Sequence, residues 1–332
     1  MNVRRRHISG IAVTAAAALG LGTLSACSSD SAAAGNTDKF DVVASFYPMQ
    51  YLAQQIGGEH VNVTTLTEPG QEPHDLELSA KQTAEMGEAD AVLHLKSLQP
   101  AVDEAITQSD VKTKIDAATL TTLEDHGSVE HDHAGGEHAE EGHGEEGHAE
   151  EKHSEEEEHA LDPHVWLDPV KYAEIAEGVA KAFEKADPDH AADYRKNADA
   201  LAKKLADLNT AYEEGLADTD SKVFFTNHAA FGYLAERYGL TQEAINGLDP
   251  ESEPSPARIK ELQEEAKADG VTTVFYETLV SDKTAKTLAK DAGLKTDVLD
   301  PLEGITDKSK GDDYLAVMES NLKALEAALG AK

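Results

Sequence analysis

Apolar residues along the chain alternate between short continuous runs, typical of buried strands, and a spacing of three and four, typical of helices. This alternation predicts strands separated by helices. A β-branched and aromatic run at 40–46 precedes a helical pattern that stops at a glycine pair, and further strands are predicted at 61–67 and 90–95. This spacing is typical of a parallel sheet with helices on its faces. The same order returns in the C-terminal third of the chain, with strands predicted at 222–228, 271–277 and 295–301.

Two longer helical patterns lie between these regions. One begins at Asp168-Pro169, and the other begins at Asp187-Pro188 and repeats apolar residues at steps of three and four as far as Leu216. Roughly 28 residues at 1.5 Å each give a rod of about 42 Å, longer than one small domain. We therefore expect an α/β fold with two lobes, each a mostly parallel sheet flanked by helices, joined by one long rigid helix, with bounds at 40–187, 188–217 and 218–332.

The start of the chain carries an export pattern. Three arginines at 4–6 precede an apolar stretch at 8–24 that ends beside Cys27, which predicts a signal peptide over 1–26. Small residues before Cys27 predict that it becomes the lipidated first residue of the mature protein, followed by a polar tether over 27–39. An ordinary cleaved signal with an incidental cysteine is the alternative, and both the Sec and the twin-arginine routes stay open. We expect an extracytoplasmic protein anchored to the cell membrane through Cys27.

Charge and cysteine content limit the chemistry that the chain can support. The formal net charge of −35 argues against nucleic acid as a partner, because a phosphate-binding surface needs a basic stripe. Cys27 is the only cysteine, so the body of the protein has no internal disulfide and no thiolate metal site. Any metal ion must then be held by nitrogen and oxygen.

The composition changes abruptly between residues 124 and 160. Fifteen acidic residues and eight histidines occur between 124 and 159, with no apolar side chain larger than Val129, so we expect a disordered, solvated insertion. Five of the histidines recur every five residues, a period that lines them up on neither a helix nor a strand. A flexible chain could still fold several of them around an ion, although a merely solubilising acidic loop is the alternative. The predicted auxiliary metal ligands are His126, His131, His133, His138, His143, His148, His153 and His159.

Four short stretches place a candidate metal ligand near the end of a strand or the start of a helix. These are "EPHDLELS" with His74, "DPHVWLDP" with His164, "TNHAAFGY" with His228 and "VLDPLEG" with Asp300. Three imidazoles and one carboxylate would suit a four-coordinate zinc ion, although each residue alone could be an ordinary loop residue.

Three further features qualify this set of ligands. Water or Glu72 could replace Asp300 as the fourth ligand, and Glu277 could accept a hydrogen bond from a ligand histidine. His60 and His94 are interpreted as structural or surface residues. The HExxH helix of common zinc proteases is absent from the sequence.

Taken together, these stretches resemble the zinc-binding lipoproteins of bacterial ABC importers, the ZnuA-like branch of the cluster A-I metal-binding receptors. The resemblance runs from "VVASFYPMQYLAQQIGG" through "LDPLEG" and includes a His- and acid-rich insertion just before "DPHVWLDP". It implies two lobes with the metal between them, and it matches His74, His164 and His228 to the family's three histidine ligands and Asp300 to the carboxylate.

The resemblance also implies a function. It implies a monomeric receptor, not an enzyme, that delivers Zn²⁺ to an ABC permease. Manganese-binding relatives usually carry glutamate where His228 stands, and imidazole suits zinc better than manganese, so zinc is expected. A manganese receptor, a zinc-dependent surface adhesin and a metallohydrolase with an open coordination position are the alternatives.

Overall fold

The described part of the chain contains two parallel β-sheets, one in each lobe. The computed structural model describes residues 39–126 and 161–332. Residues 1–38 and 127–160 lie outside it, and with them the predicted signal peptide, the lipidation site Cys27 and seven of the eight insertion histidines. Among the described residues, no helix has the length and apolar character needed to cross a membrane.

The first sheet has the strand order β2-β1-β3-β4 with every pair parallel. Its strands are β1 (Phe40–Ala44), β2 (Val61–Thr65), β3 (Ala91–His94) and β4 (Thr113–Asp116), and its helices are α1 (Tyr47–Gly57), α2 (Ala80–Glu88) and α3 (Pro100–Gln108). The central strand β1 pairs Phe40 with Val61 and Val42 with Ala91, so apolar residues of three strands share the interior.

Two long helices follow, α4 (Pro169–Ala186) and α5 (Ala191–Gly215). The Asp168 side chain caps α4 by accepting hydrogen bonds from the backbone N–H groups of Val170 and Lys171. A 3₁₀ turn at Pro188–His190 precedes α5. The predicted connecting helix thus exists, and it packs on α4 and also on one helix from each lobe, α1 and the C-terminal helix α9 (Tyr314–Leu329).

The second sheet repeats the first with the order β6-β5-β7-β8, again all parallel. Its strands are β5 (Val223–Thr226), β6 (Thr241–Ala244), β7 (Thr273–Tyr276) and β8 (Lys295–Val298). Besides α9, its helices are α6 (Gly232–Tyr238), α7 (Pro256–Ala268) and α8 (Lys283–Ala292). The expected two-lobed α/β architecture is confirmed.

The lobes share one hydrophobic core where they meet. Trp166 is fully buried, and its indole Nε1–H donates to the Pro301 carbonyl over 2.7 Å. Tyr314 Oη–H donates to the Trp166 carbonyl over 2.6 Å, which ties α9 to the same segment. An apolar cluster that includes residues from Val42 to Leu329 runs through this junction. The segment around Trp166 is therefore held by groups from the second lobe.

Residues 124–126 differ from the sequence expectation, which placed them in the disordered insertion. Glu124 N–H donates to Tyr233 Oη over 2.8 Å, and Asp162 N–H donates to the Glu124 carbonyl over 2.9 Å. His126 is half-buried against the Tyr233 ring. Hydrogen bonds to the backbone of Glu124 thus hold this acidic stretch in place despite its lack of large apolar residues.

Candidate metal centre

Three histidines and one glutamate converge at the carboxyl ends of the strands. His74 lies on the long loop after β2, His228 lies two residues beyond β5, and Glu303 lies on the loop after β8. His164 directly precedes the 3₁₀ turn Val165–Leu167, whose three buried side chains anchor it in the shared core. The carboxyl edge of parallel sheets is where loops from different strands can meet around a ligand.

The four side chains point their ligand atoms at a common point. Those atoms all lie within 4.8 Å of one another. Glu303 Oε1 lies 3.1, 3.2 and 3.4 Å from the Nε2 atoms of His74, His164 and His228. The two Nε2 atoms of His164 and His228 are 3.4 Å apart. Tetrahedral zinc with bonds of about 2.0–2.1 Å would separate its ligand atoms by about 3.3–3.4 Å, so this spacing fits the ion.

Burial adds a second indication that these groups suit a cation. His164 and Glu303 are fully buried and His228 is nearly so, while the His74 side chain keeps 12% of its surface exposed. Glu303 Oε2 is buried and has no hydrogen-bond partner among the described residues. A buried, incompletely hydrogen-bonded carboxylate is costly, and a cation bound to this carboxylate would offset its charge.

Two carboxylates behind the site orient the ligand histidines. His164 Nδ1 lies 2.7 Å from Asp162 Oδ1, and His228 Nδ1 lies 2.8 Å from Glu277 Oε1. With each Nδ1–H donating to a carboxylate, each Nε2 faces the common point, and a metal ion bound there would replace the Nε2 proton, as in many histidine-ligated metal sites. Asn227 Nδ2 also donates to Glu277 Oε1 over 3.0 Å and fixes that carboxylate.

The carboxylates around the centre create a negative electrostatic environment that shifts the pKa values of its side chains. Burial alone would lower the pKa of His228, but the negative charges of Glu277 and Glu303 raise it well above its ordinary value. Burial would raise the pKa of Glu303, but His228 and hydrogen bonds from the three histidines hold it well below its ordinary value. Burial and the charge of Glu303 raise the pKa of Glu72 to about 7. The surroundings therefore favour positive charge in the cleft.

In the structure Glu303, rather than Asp300, lies among the three histidines. The Asp300 carboxylate is buried but accepts from the Leu302 backbone N–H over 2.9 Å, and Thr278 Oγ1 lies 3.4 Å from its other oxygen. Leu302 has a φ of 61°, in the left-handed region, so the chain turns tightly between the two acids. The turn directs Glu303 into the cleft and leaves Asp300 to hold the loop.

Glu303 and Asp162 were not among the residues chosen from the sequence. Asp162 precedes His164 by two positions in "DPHVWLDP", and Glu303 stands within "VLDPLEG", so both lie in motifs that had been selected. What the linear sequence lacks is the loop conformation that decides which acid of each motif faces inward.

The remaining candidates lie outside this group of ligands. Glu72 accepts a hydrogen bond from the Asp75 backbone N–H over 3.2 Å, and its other oxygen is buried without a partner among the described residues. His60 pairs with Asp193 directly before β2, at the edge of the first sheet opposite to the carboxyl ends of its strands, and His94 ends β3 near Asp103. The interpretation of His60 and His94 as structural or surface residues agrees with these positions.

A protein-family match covers most of the chain and assigns it to a family. Residues 42–328 match the family described as "ZnuA: Zinc-uptake complex component A periplasmic". The chain belongs to this family. It is 35% identical to the "High-affinity zinc uptake system protein ZnuA" of Bacillus subtilis over 327 residues, which cover 97% of each chain. The resemblance inferred from the sequence motifs is thereby confirmed.

Longer relatives share the same fold over part of their length. The chain is 39% identical to the "Zinc-binding lipoprotein AdcA" of Streptococcus pneumoniae over 91% of itself and 58% of that protein, so it spans a little over half of that relative. The solved Zn(II)-bound AdcA superposes with a TM-score of 0.70 and 35% identity, covering 89% of this chain and 58% of the other.

A laminin-binding protein, Lmb of Streptococcus agalactiae, also superposes on this chain. The TM-score is 0.73 with 31% identity, and the superposition covers 87% of this chain and 99% of Lmb. That protein is described as bifunctional, with adhesin and metal-transporting activity.

Proposed function

We propose that the protein captures Zn²⁺ in the cleft between its lobes and delivers it to an ABC permease. The observation that carries the proposal is the convergence of His74, His164, His228 and Glu303 within 4.8 Å. Three imidazoles and one carboxylate form a donor set that suits zinc better than manganese, which prefers oxygen ligands. In this proposal Glu303, rather than Asp300 or water, is the fourth ligand.

The same geometry argues for binding rather than catalysis. Four protein ligands fill a tetrahedral coordination sphere, whereas a catalytic zinc keeps one position open for water or substrate. The ligand atoms are also buried in the shared core, apart from the His74 side chain. We propose that zinc enters and leaves on the side of His74, the ligand carried by the loop between β2 and α2.

The setting of this receptor follows from the export pattern. We propose that the protein is a monomeric lipoprotein on the outer face of the cell membrane, held by a lipid on Cys27. The histidine-rich stretch would collect zinc near the cleft with weaker, transient sites, because each such site must order a flexible chain.

A competitive zinc titration tests this proposal. The protein is titrated against a chromophoric chelator, in parallel with a variant in which a short glycine linker replaces residues 127–160. Such a linker can close the gap, because Asp162 N–H already donates to the Glu124 carbonyl over 2.9 Å. We expect both proteins to keep one tight zinc site that manganese cannot displace, and His228→Ala to abolish it.

A matched control is His60→Ala, which changes a histidine that pairs with Asp193 away from the cleft. This variant should keep the tight site. Loss of tight binding on removal of residues 127–160 alone would contradict the proposal, since the histidine repeat would then be the primary site. Displacement of zinc by equimolar manganese would instead favour a manganese receptor.

A second function, as an adhesin, is favoured by the likeness to the laminin-binding Lmb. It predicts zinc-dependent binding of laminin to the immobilised protein, lost in His228→Ala. Equal laminin binding with and without zinc, or none, would count against this function.

A further inference from the structure

We propose that Glu124, His126 and Glu236 form a second divalent-cation site, separate from the cleft, at the point where residues 127–160 leave and rejoin the fold. The cation is one that accepts imidazole and carboxylate together, with Zn²⁺ as the expected occupant. The site is independent of the proposed function, because it needs none of the four cleft ligands.

The three side chains already have the spacing of a metal site. Their ligand atoms lie within 4.8 Å of one another, and His126 Nε2 lies 2.9 Å from Glu236 Oε2. Glu236 projects from α6 in the second lobe, while Glu124 and His126 close the segment that follows β4. Among the described residues, Lys171 Nζ contacts Glu124 but no contact joins it to Glu236, and a divalent cation bound to both carboxylates would offset their mutual repulsion.

The orientation of His126 repeats that of the ligand histidines in the cleft. His126 Nδ1 lies 3.0 Å from Asp162 Oδ2, while the other oxygen of the same carboxylate lies 2.7 Å from His164 Nδ1. Asp162 is fully buried. One carboxylate thus fixes two imidazoles, and each directs its Nε2 away toward a glutamate, Glu303 or Glu236.

The absence of a side chain at Gly232 leaves the space that the His126 side chain occupies. A Cβ atom built on Gly232, the first residue of α6, would lie only 2.4 Å from the His126 Cβ. The Tyr233 ring packs edge-on against the imidazole with centroids 4.4 Å apart, and its hydroxyl donates to the Asp162 carbonyl over 2.8 Å. His126 is therefore seated in a shaped position before any ion arrives.

Lys171 competes for part of this site and keeps its affinity below that of the cleft. Its Nζ lies 2.6 Å from Glu124 Oε1. The Glu236 side chain is 59% exposed, so ions can exchange with solvent. An ion held there would be replaced faster than one in the cleft.

Zinc stoichiometry measured by chelator competition on the full chain tests the proposal. Asparagine first replaces the seven insertion histidines outside the described residues, to remove their contribution. We expect this background to bind two zinc ions, the second at least tenfold more weakly than the first. Adding Glu236→Gln, or separately Gly232→Ala, should leave one. The control Glu214→Gln, the same change at an exposed position on α5, should leave two.

The cleft and the second site can be separated by adding His228→Ala to this background. One weaker zinc site should then remain, and Glu236→Gln should remove it, whether or not the cleft has its proposed role. Binding of a single ion by the background protein would overturn the proposal. So would two ions that persist after Glu236→Gln.

Discussion

Replacing Glu277 with glutamine measures how much a ligand histidine depends on the carboxylate behind it. Glu277 Oε1 lies 2.8 Å from His228 Nδ1 and also accepts from Asn227 Nδ2 over 3.0 Å. Both neighbours are donors, so the glutamine oxygen must take this position and the amide group must take that of Oε2, which has no partner among the described residues. The shape and the hydrogen bonds remain, and the charge is lost.

The expected magnitude follows from that loss. A hydrogen bond to a charged group contributes about 1.5–3 kcal/mol, against about 0.5–1.5 kcal/mol for a neutral pair, so the difference is about 1–2 kcal/mol. At 1.4 kcal/mol per tenfold, zinc binding should weaken by roughly 5- to 30-fold. This overlaps the range of about 10- to 100-fold typical of partners behind metal-binding histidines.

Chelator competition at fixed pH and salt gives this ratio directly, with the exposed Glu214→Gln as the matched control. Circular dichroism of the ion-free protein checks that the variant folds. A change of less than twofold would refute the positioning role of Glu277. A loss as large as that of His228→Ala would also refute it, because Glu277 would then act as a ligand or as a determinant of folding.

Three further changes test other parts of the structure. Glu303→Gln should weaken zinc binding by more than about 100-fold, whereas Asp300→Asn should change it by less than about threefold, because asparagine can still accept the hydrogen bond that holds the loop; equal losses in the titration would contradict this order. Trp166→Phe should lower the free energy of unfolding by about 2–4 kcal/mol in urea, because it leaves the buried Pro301 carbonyl unpaired and removes ring volume; an unchanged midpoint would show that the indole bond contributes little. Burial would raise the pKa of Asp187, but hydrogen bonds from two neighbours lower it, so its contribution to stability is present above the unfolded pKa of about 3.9 and is lost as pH falls through the folded pKa; Asp187→Asn should therefore destabilise the protein at pH 7 and progressively less as the pH is lowered below about 3.9, and a pH-independent difference would contradict this.

Helices with strong apolar periodicity could be predicted from the sequence, and weakly apolar edge strands could not. The long helix was expected at 188–217 and is observed as α5, which follows a 3₁₀ turn, because its apolar stripe contacts both lobes. Strands β4 and β6 were missed. Their sequences, "TKID" and "TQEA", are short and largely polar. Each strand lies at the edge of its sheet and pairs with a neighbouring strand on one side only, so it tolerates more polar residues than a central strand.

The three histidines that the structure brings together could be chosen from the sequence, whereas the carboxylate beside them could not. His74, His164 and His228 each stand alone in their motifs, so no choice among neighbours was needed. "VLDPLEG" offers two acids three positions apart, and the choice depends on the turn at Leu302. Proline after Asp300 favoured a turn there, which in the structure is the role that Asp300 plays.

The role of residues 124–126 could not be inferred from composition. Their acidic character predicts solvation, yet His126 contacts a tyrosine and two carboxylates that lie 36 or more positions further along the chain. These contacts join residues far apart in the sequence and form only in the folded protein. A local sequence pattern therefore cannot predict them.

The position of zinc in crystals grown with one equivalent of the ion tests the four-ligand site most directly. Anomalous differences measured on both sides of the zinc absorption edge locate it without ambiguity of element. We expect one strong peak about 2.0–2.2 Å from the Nε2 atoms of the three histidines and from a carboxylate oxygen of Glu303. A peak that lies away from these four side chains, or one bonded to Asp300 in place of Glu303, would contradict this expectation.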